Sequence, residues 1–477
     1  MNEDREDDAR EGGPRTSIPF DALEIGAEAS LSRLCTPDDL AIHAHASGNL
    51  NPLHRPAHDG DGDGEPEAHA PAQWLAGLVS AVLGNILPGP GTVIVSQTLR
   101  FTGTLHAGEE ATARVRLAAK GEDRMARFEV SVASGERTLL EGEVEVRAPE
   151  RSVPMPADGL AGLTLHRHRH FEALLARAEP LAPIPTAVVA PEEESALGGA
   201  MLAARHTLIT PILVGHEARI RGVAGAIGAS LDGIEIIDVP AHDLAAARAV
   251  ELVHEGRARA VMKGHLHTDE LLRPIVSSKG GLRTGRRLSH VFVMDVPGRD
   301  RLLMVTDAAI NIAPDLKAKA DIAQNAIDLA LSLGIAEPKV GVLSAVETVN
   351  PAIPSTLEAA ALSKMAERGQ ITGGLVDGPL AMDNAVDLEA ARSKGIRSTV
   401  AGRADILLAP NIESGNMIAK ELTFIAHAQA GGVVVGALVP VILTSRADDD
   451  AARLASCAVA ALFADWLAKA GDRGAGH

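Results

Sequence analysis

The sequence predicts two bodies in series: an α+β unit in roughly the first third, and a doubly wound α/β body in the rest. Three features point there. Between Thr92 and Ala148 four segments (TVIVSQTLRF, EATARVRLAA, RMARFEVSVAS, TLLEGEVEVRA) alternate apolar and polar residues with turn residues between them, the period of half-buried strands. Beyond Phe171, short aliphatic runs alternate with Ala/Leu/Glu/Arg-rich stretches, the rhythm of strand–helix–strand units. Between the two lies RAPERSVPMPADGLAGLTL (residues 147–165), rich in Pro, Gly and charge, which reads as a linker.

Composition sets outer limits. At 477 residues the length suits about three domains, or two. A hydrophobic fraction of 46% against 23% charged residues is that of a soluble globular chain. Aromatics make up 2% and tyrosine is absent, so the cores must rest on Ala, Val, Leu and Ile, which suits parallel strands buried on both faces. The formal charge of -18 argues against nucleic acid or an anionic membrane as a main partner. Anionic ligands remain open, because local arginines and helix N-termini bind phosphate within an acidic protein. Cys35 and Cys457 have no metal-ligand spacing, and a reduced, cytoplasmic protein is expected. The first 15 residues, MNEDREDDAREGGPR, lack the apolar core of a signal peptide and read as a disordered acidic tail. No stretch is expected to reach the roughly 20 apolar residues of a membrane span.

In chain order, Pro37-Asp38-Asp39 starts a helix, followed by Ser47-Gly-Asn-Leu-Asn-Pro-Leu-His54 and a loop, HDGDGDGEPEAHAP, too polar to pack. A buried helix is expected from Gln73 to Leu87, closed by Pro88-Gly-Pro-Gly91, with the four strands after it. One long helix followed by an antiparallel sheet suggests a hotdog fold. His166, His168 and His170 alternate with Arg167 and Arg169, which disfavours a metal site and favours a solvated helix start. Strands are then expected at Pro185–Val189, Ile212–Val214, Ala260–Met262, Val291–Met294, Leu302–Val305, Val340–Leu343, Gly374–Val376, Ile406–Leu408 and Val433–Val435. A helix from about Asp315 buries Ile322, Ala326, Leu329, Ala330 and Leu333 and ends at Gly334. Gly222, Gly225 and Gly228 are not spaced as a dinucleotide fingerprint, and no Walker A sequence occurs.

Chemistry concentrates in Ala404–Arg446, ADILLAPNIESGNMIAKELTFIAHAQAGGVVVGALVPVILTSR. Its order is strand, polar loop, helix, strand and a further apolar run, Pro440–Leu443, that delivers Ser445-Arg446 at its end. In open α/β sheets ligands bind at such carboxyl ends. An ordinary βαβ unit with a Ser-Arg turn has the same spacing and stays open on these residues alone.

The stretches ILLAPNIESGNM and PVILTSR, with VMKGHLHTDELLRPI, GLRTGRRLSHVFVMDVPG and TDAAINIAPDLKAKADIAQNA upstream, resemble the phosphate acetyltransferase/phosphate butyryltransferase family over roughly residues 165–470. The resemblance implies transfer of an acetyl or other short acyl group between coenzyme A and inorganic phosphate. It implies a two-subdomain fold like that of isocitrate and isopropylmalate dehydrogenases, a site in the cleft between subdomains, and a homodimer. CoA, acyl-CoA, phosphate and acyl phosphate are then substrates, with no tightly bound cofactor and no metal. A thiol near pKa 8.5 is mostly protonated at pH 7, so a carboxylate base is wanted. The developing oxyanion needs preorganised donors and the phosphate a bidentate cation. By resemblance Ser445 donates to the carbonyl and Arg446 binds phosphate or the thioester end. Seven positions on from the serine, where the acetyltransferases carry the base, this chain has Ala452, so Asp448 or Asp450 of the triplet with Asp449 is the candidate. A solvated helix N-terminus is the competing account of that triplet. Arg287, with Arg283 and Arg286 as alternatives, is the second phosphate-binding candidate. Lys263-Gly264 and Thr268 are expected along the cleft, with Asn411, Ser414, Gly415 and Asn416 shaping the loop and Glu413 an internal hydrogen-bond partner.

In the first unit SGNLNPLH, the helix and LPGPGTVIVSQTLRF resemble MaoC-type (R)-specific enoyl-CoA hydratases. That resemblance implies a hydratase-like site at Asn49 and His54, with Asn49 standing where the family has Asp, and His69-Ala-Pro-Ala-Gln73 departing from its His-Gly pair. Asn cannot exchange a proton, and general acid/base assistance is worth about 10²–10⁴-fold, so hydration is expected to be impaired. The expected organisation is tail 1–15, hotdog 16–146, linker 147–165 and transferase 166–477, with subdomain I at 166–300 and 436–477 and subdomain II at 301–435. Alternatives are a bifunctional hydratase/transferase and a non-catalytic acyl-CoA-binding hotdog module. A third is a metal-dependent decarboxylating dehydrogenase using Asp377, Asp383 and Asp387.

Overall fold

A computed structural model describes residues 16–55, 67–155, 168–444 and 449–474. The chain divides into two compact units, Met1–Leu163 and Thr164–His477. The acidic tail, most of the polar loop after His54, residues 156–167 with His166, and Ser445, Arg446 and Asp448 lie outside the described residues.

In the first unit, strands β1 (Glu28–Leu34), β2 (Val93–Phe101), β3 (Glu110–Lys120), β4 (Met125–Ser134) and β5 (Arg137–Arg147) form an antiparallel sheet in the order β1-β3-β4-β5-β2. Alternation decides its faces. β3 buries Ala111, Ala113, Val115 and Leu117 and turns Arg114 and Arg116 outward. The helix Ala72–Asn85 packs against all five strands, burying Trp74, Leu75, Leu78, Val79, Val82 and Leu83. An antiparallel sheet packed on one central helix is the hotdog arrangement. The helix Pro37–Ser47 starts as expected, with a capping box between Thr36 and Asp39. β1 was not anticipated, because EASLSRL at the sheet edge is mostly exposed and carries weak alternation.

The second unit carries β6 (Ile184–Val189), β7 (Ile209–Gly215), β8 (Glu235–Asp238), β9 (Ala260–Lys263), β10 (Ser289–Asp295) and β11 (Leu303–Thr306). β12 (Lys339–Leu343), β13 (Leu375–Leu380), β14 (Ile406–Leu408), β15 (Gln429–Val435) and β16 (Val441–Ile442) follow. Among the described residues they form one 11-stranded sheet in the order β13-β12-β14-β11-β10-β15-β16-β9-β6-β7-β8. Two parallel wings fit the doubly wound expectation. They are joined by an antiparallel middle, in which β10 opposes both β11 and β15, and β15 opposes β16. Aliphatic runs do not disclose direction, so this middle was invisible in the sequence. The helix Leu316–Ser332 begins where Asp315 accepts the Ala318 N–H at 2.8 Å and stops short of Gly334, whose φ is positive.

Two expectations need correction. The C-terminal helix Asp450–Gly474 contains a stretch, Asp450–Ala470, long and apolar enough by composition to cross a membrane. Here it is a core helix, packed on β15 and on the helices Arg169–Ala178 and Glu194–Arg205, with Val459, Ala460, Phe463 and Ala464 buried. The expected helix start in the histidine–arginine run is present as Arg169–Ala178, with Arg169 exposed, but its first turn is tied to the protein rather than left to solvent. Asp295, itself buried, accepts the backbone N–H groups of His170 and Phe171 at 2.7 and 3.0 Å, and His170 reaches the Arg299 carbonyl.

Candidate functional site

A cleft of about 880 Å³ opens in the second unit over the antiparallel middle of its sheet. His290 and Phe292, two apart on β10, share the face that forms its floor, beside Ala430 and Gly432 of β15. Phe292 is directly paired with Gly432. One wall is the end of β9, with Lys263, and the start of the helix Thr268–Ile275, with His267 and Thr268. The other is the helix Ile412–Phe424, through Asn416, Ala419 and Lys420. Thr444, just past β16, Asp449, His168 and His427 are also among the lining residues.

Local sequence explains how these groups are placed. Gly264 follows Lys263 because a methyl there would stand 2.3 Å from the Val189 carbonyl and 2.4 Å from that of Ala190, so β9 turns tightly against the end of β6. Gly415 lets the first turn of Ile412–Phe424 lie on the loop after β11, where a methyl would meet the Asp307 carbonyl at 2.4 Å. Asn411 caps that helix, accepting the Ser414 N–H at 3.0 Å, and Asn416 donates to the Ala308 carbonyl at 3.2 Å. Asp449 caps the helix Asp450–Gly474, accepting the Ala452 N–H at 2.8 Å. The starts of Thr268–Ile275 and Asp450–Gly474 thus both face the cleft, and with Lys263 and Lys420 they make it receptive to anions.

Of the residues singled out from sequence, Lys263, Thr268 and Asn416 line the cleft. Asn411, Ser414 and Gly415 build the helix start behind it rather than the lining itself. Glu413 is exposed in the first helical turn, not an internal partner. Arg287 is exposed and not part of the lining; its Nε donates to Asn311 Oδ1 at 2.9 Å, while Arg286 pairs with Asp328. Asp450 stands 3.6 Å from Arg453 and off the lining; its neighbour Asp449 is the acidic group on the wall. Ser445, Arg446 and Asp448 fall outside the described residues, between the two lining residues Thr444 and Asp449. Sequence reasoning missed His290, Phe292, His267, Asp449 and Thr444. Only the tertiary fold brings them together, although the motif LSHVFVMD already contained two of them.

Beneath the floor Asp307 is buried and saturated. It accepts the N–H groups of Ala309, Ile310 and Asn311 at 2.9, 3.0 and 3.2 Å and the Asn311 side-chain amide as well. Burial pushes the His290 imidazole down to about 4, with Asp307 opposing, so the ring is neutral at physiological pH.

In the first unit Asn49 is exposed and accepts the Asn51 N–H at 3.2 Å. His54 Nδ1 lies 2.8 Å from the His69 carbonyl, which orients the ring. The aspartates considered for a dehydrogenase are locally engaged: Asp383 with Lys394, Asp387 as a helix cap, Asp377 with the Gly378 N–H. Among the described residues no group of three or more His, Cys, Asp or Glu is placed to hold a metal ion.

The second unit is thus a two-winged α/β body with a cleft over its sheet whose walls suit an anionic ligand. Residues 241–461 match the family described as phosphate acetyl/butaryl transferase. Over 294 residues the chain is 61% identical to a phosphate acetyltransferase of Rhizobium meliloti, covering 62% of this chain and 93% of that one. It is also similar to the solved branched-chain phosphotransacylase of Enterococcus faecalis V583, at 29% identity and a TM-score of 0.52, covering 59% of this chain and 99% of that one. A further likeness is to the (R)-hydratase PhaJ1 of Pseudomonas aeruginosa, at 28% identity and a TM-score of 0.31, over 32% of this chain and 99% of that one. The chain belongs to the phosphate acetyl/butaryl transferase family.

Proposed function

We propose that the second unit moves a short acyl group between coenzyme A and inorganic phosphate, acyl-CoA and phosphate giving acyl phosphate and CoA. The observation that carries this is positional. Ser445-Arg446-Ala447-Asp448 joins Thr444 to Asp449, and both of these line the cleft where two helix starts and Lys263 converge. In the direction of acyl-CoA synthesis, Asp448 or Asp449 takes the thiol proton, and the CoA sulfur attacks the carbonyl carbon of acyl phosphate. Ser445 donates to the oxygen that gains charge, and the C–O bond to phosphate breaks. Arg446, Lys263 and the helix starts hold the departing dianion. Lys263 and Lys420, rather than Arg287, are then the lysine and arginine cations on the described walls of the cleft.

The two parts 166–300 plus 436–477 and 301–435 would serve as subdomains, the protein working as a cytoplasmic homodimer without a tightly bound cofactor; sedimentation of the purified protein checks the dimer. In the first unit Asn49 replaces a proton-transferring group, so hydration of enoyl-CoA would be crippled; measuring loss of crotonyl-CoA absorbance checks this, and turnover comparable to the transferase would overturn it. The main test is phosphate-dependent thiol release from acyl-CoA of two, three and four carbons, with wild type and Ser445→Ala. Release that collapses by about 10²-fold or more in the variant supports the assignment. No release with any chain length would refute it.

A further inference from the structure

His290 is a cleft residue to which the family motifs assign no role. Its residue is 2% exposed, yet it lines the floor. Its Nδ1 is sealed from solvent and has no hydrogen-bond partner among the described residues. Its ring stands edge-on to Phe292, centroids 4.4 Å apart and planes at 73°. It also lies against Gly432: a methyl at Gly432 would be 2.9 Å from His290 Nε2 and 3.1 Å from the Leu443 carbonyl. The bare glycine therefore leaves the room that Nε2 needs beside β15.

A neutral imidazole has one N–H and one lone pair. Sealing an N–H at Nδ1 without an acceptor is the costlier arrangement, so the proton belongs on Nε2, at the cleft side. The side chains beside it on the floor, Phe292 and Ala430, are apolar, and the Leu443 carbonyl borders the same space. Lys263 and the helix starts that suit an anion form the walls instead. A single uncharged donor on an apolar floor suits an uncharged acceptor that gains charge only as the reaction proceeds.

We propose that His290 donates its Nε2–H to the carbonyl oxygen of the bound acyl group, an assignment that rests on this cleft being the acyl-transfer site. It is a hydrogen bond only; the proton stays on nitrogen throughout, and the bond shortens as negative charge builds on the oxygen.

The test exploits geometry. A glutamine amide nitrogen occupies nearly the place of histidine Nε2, whereas an asparagine amide nitrogen occupies that of Nδ1. His290→Phe and His290→Asn are expected to lower kcat by about 10²-fold with little change in KM for phosphate, and His290→Gln to restore activity to within about tenfold of wild type. Wild-type kcat in a folded His290→Phe would overturn the assignment. So would equal impairment of the Gln and Asn variants accompanied by equal losses of thermal stability, which marks a packing role. A second readout needs no turnover: the infrared carbonyl stretch of acetyl-CoA labelled with ¹³C at its carbonyl. It should move to lower frequency on binding wild type and return toward the free value in His290→Phe. If wild type transfers acyl groups but the bound stretch is the same in both proteins, this inference alone falls. If wild type neither binds acyl-CoA nor transfers, both it and the transferase assignment fall.

Discussion

At Gly415 a single missing side chain decides how the helix Ile412–Phe424 meets the loop after β11. Gly415→Ala forces a methyl to 2.4 Å from the Asp307 carbonyl, and one of the two backbones must shift. Overpacking of this kind costs about 1–3 kcal/mol, so a lower denaturation midpoint is expected by calorimetry or denaturant titration. His290 makes a second residue-level prediction. The folded state holds its ring neutral down to about pH 4, whereas the unfolded chain protonates it near 6.5. Between those values the unfolded state binds more protons, so stability is present above about pH 6.5 and is lost as pH falls toward 4, by about 3 kcal/mol. His290→Phe should flatten that part of the stability–pH curve. The two thiols form a third. Burial, aided by Asp39, pushes Cys35 up to about 11, and burial pushes Cys457 up to about 12. Neither should react with a thiol reagent at neutral pH until denaturant is added, when both should.

Between elements, the helices Leu316–Ser332 and Pro354–Glu367 are tied by Lys319 and Glu358, whose side chains are 5% and 30% exposed. Removing Glu358 leaves an ammonium buried without its partner. Glu358→Ala should cost about 2–3 kcal/mol in chemical denaturation, somewhat below a fully buried pair because Glu358 is partly wet, and Lys319→Met with Glu358→Leu should cost much less. The antiparallel β10 matters in another way. Lying between β11 and β15, it lifts His290 and Phe292 onto the floor of the cleft, which two purely parallel wings would not supply. The register that sets Gly432 opposite Phe292 makes room for the His290 ring.

For the molecule as a whole, the match to the Rhizobium meliloti phosphate acetyltransferase spans 62% of this chain. The second unit has its own sheet and its own cores, and every described residue that lines the cleft belongs to it. Residues 168–477 expressed alone are therefore expected to fold and to keep kcat/KM for acyl transfer within about twofold of the full chain, as read by thiol release. A loss of more than tenfold would show that the first unit takes part in the chemistry.

Much of this protein was legible in its sequence because the signals were local. Period-two alternation marked β2 to β5, aliphatic runs marked most strands of the second unit, and Asp315 with Gly334 bracketed a helix to within a residue or two. Lys263, Thr268 and Asn416 were reachable because strand ends and helix starts place ligand-binding groups. The half-exposed β1 and β8 escaped, since an edge strand needs no strong hydrophobic pattern. Strand direction, the buried helix at the C-terminus and the floor of the cleft were settled only in three dimensions. His290 reads in sequence as one more polar residue in an aliphatic run. Its burial, its orphaned nitrogen and its neighbour Gly432 arise from the pairing of β10 with β15, in which His290 faces Val434, a contact between distant stretches that no local period records.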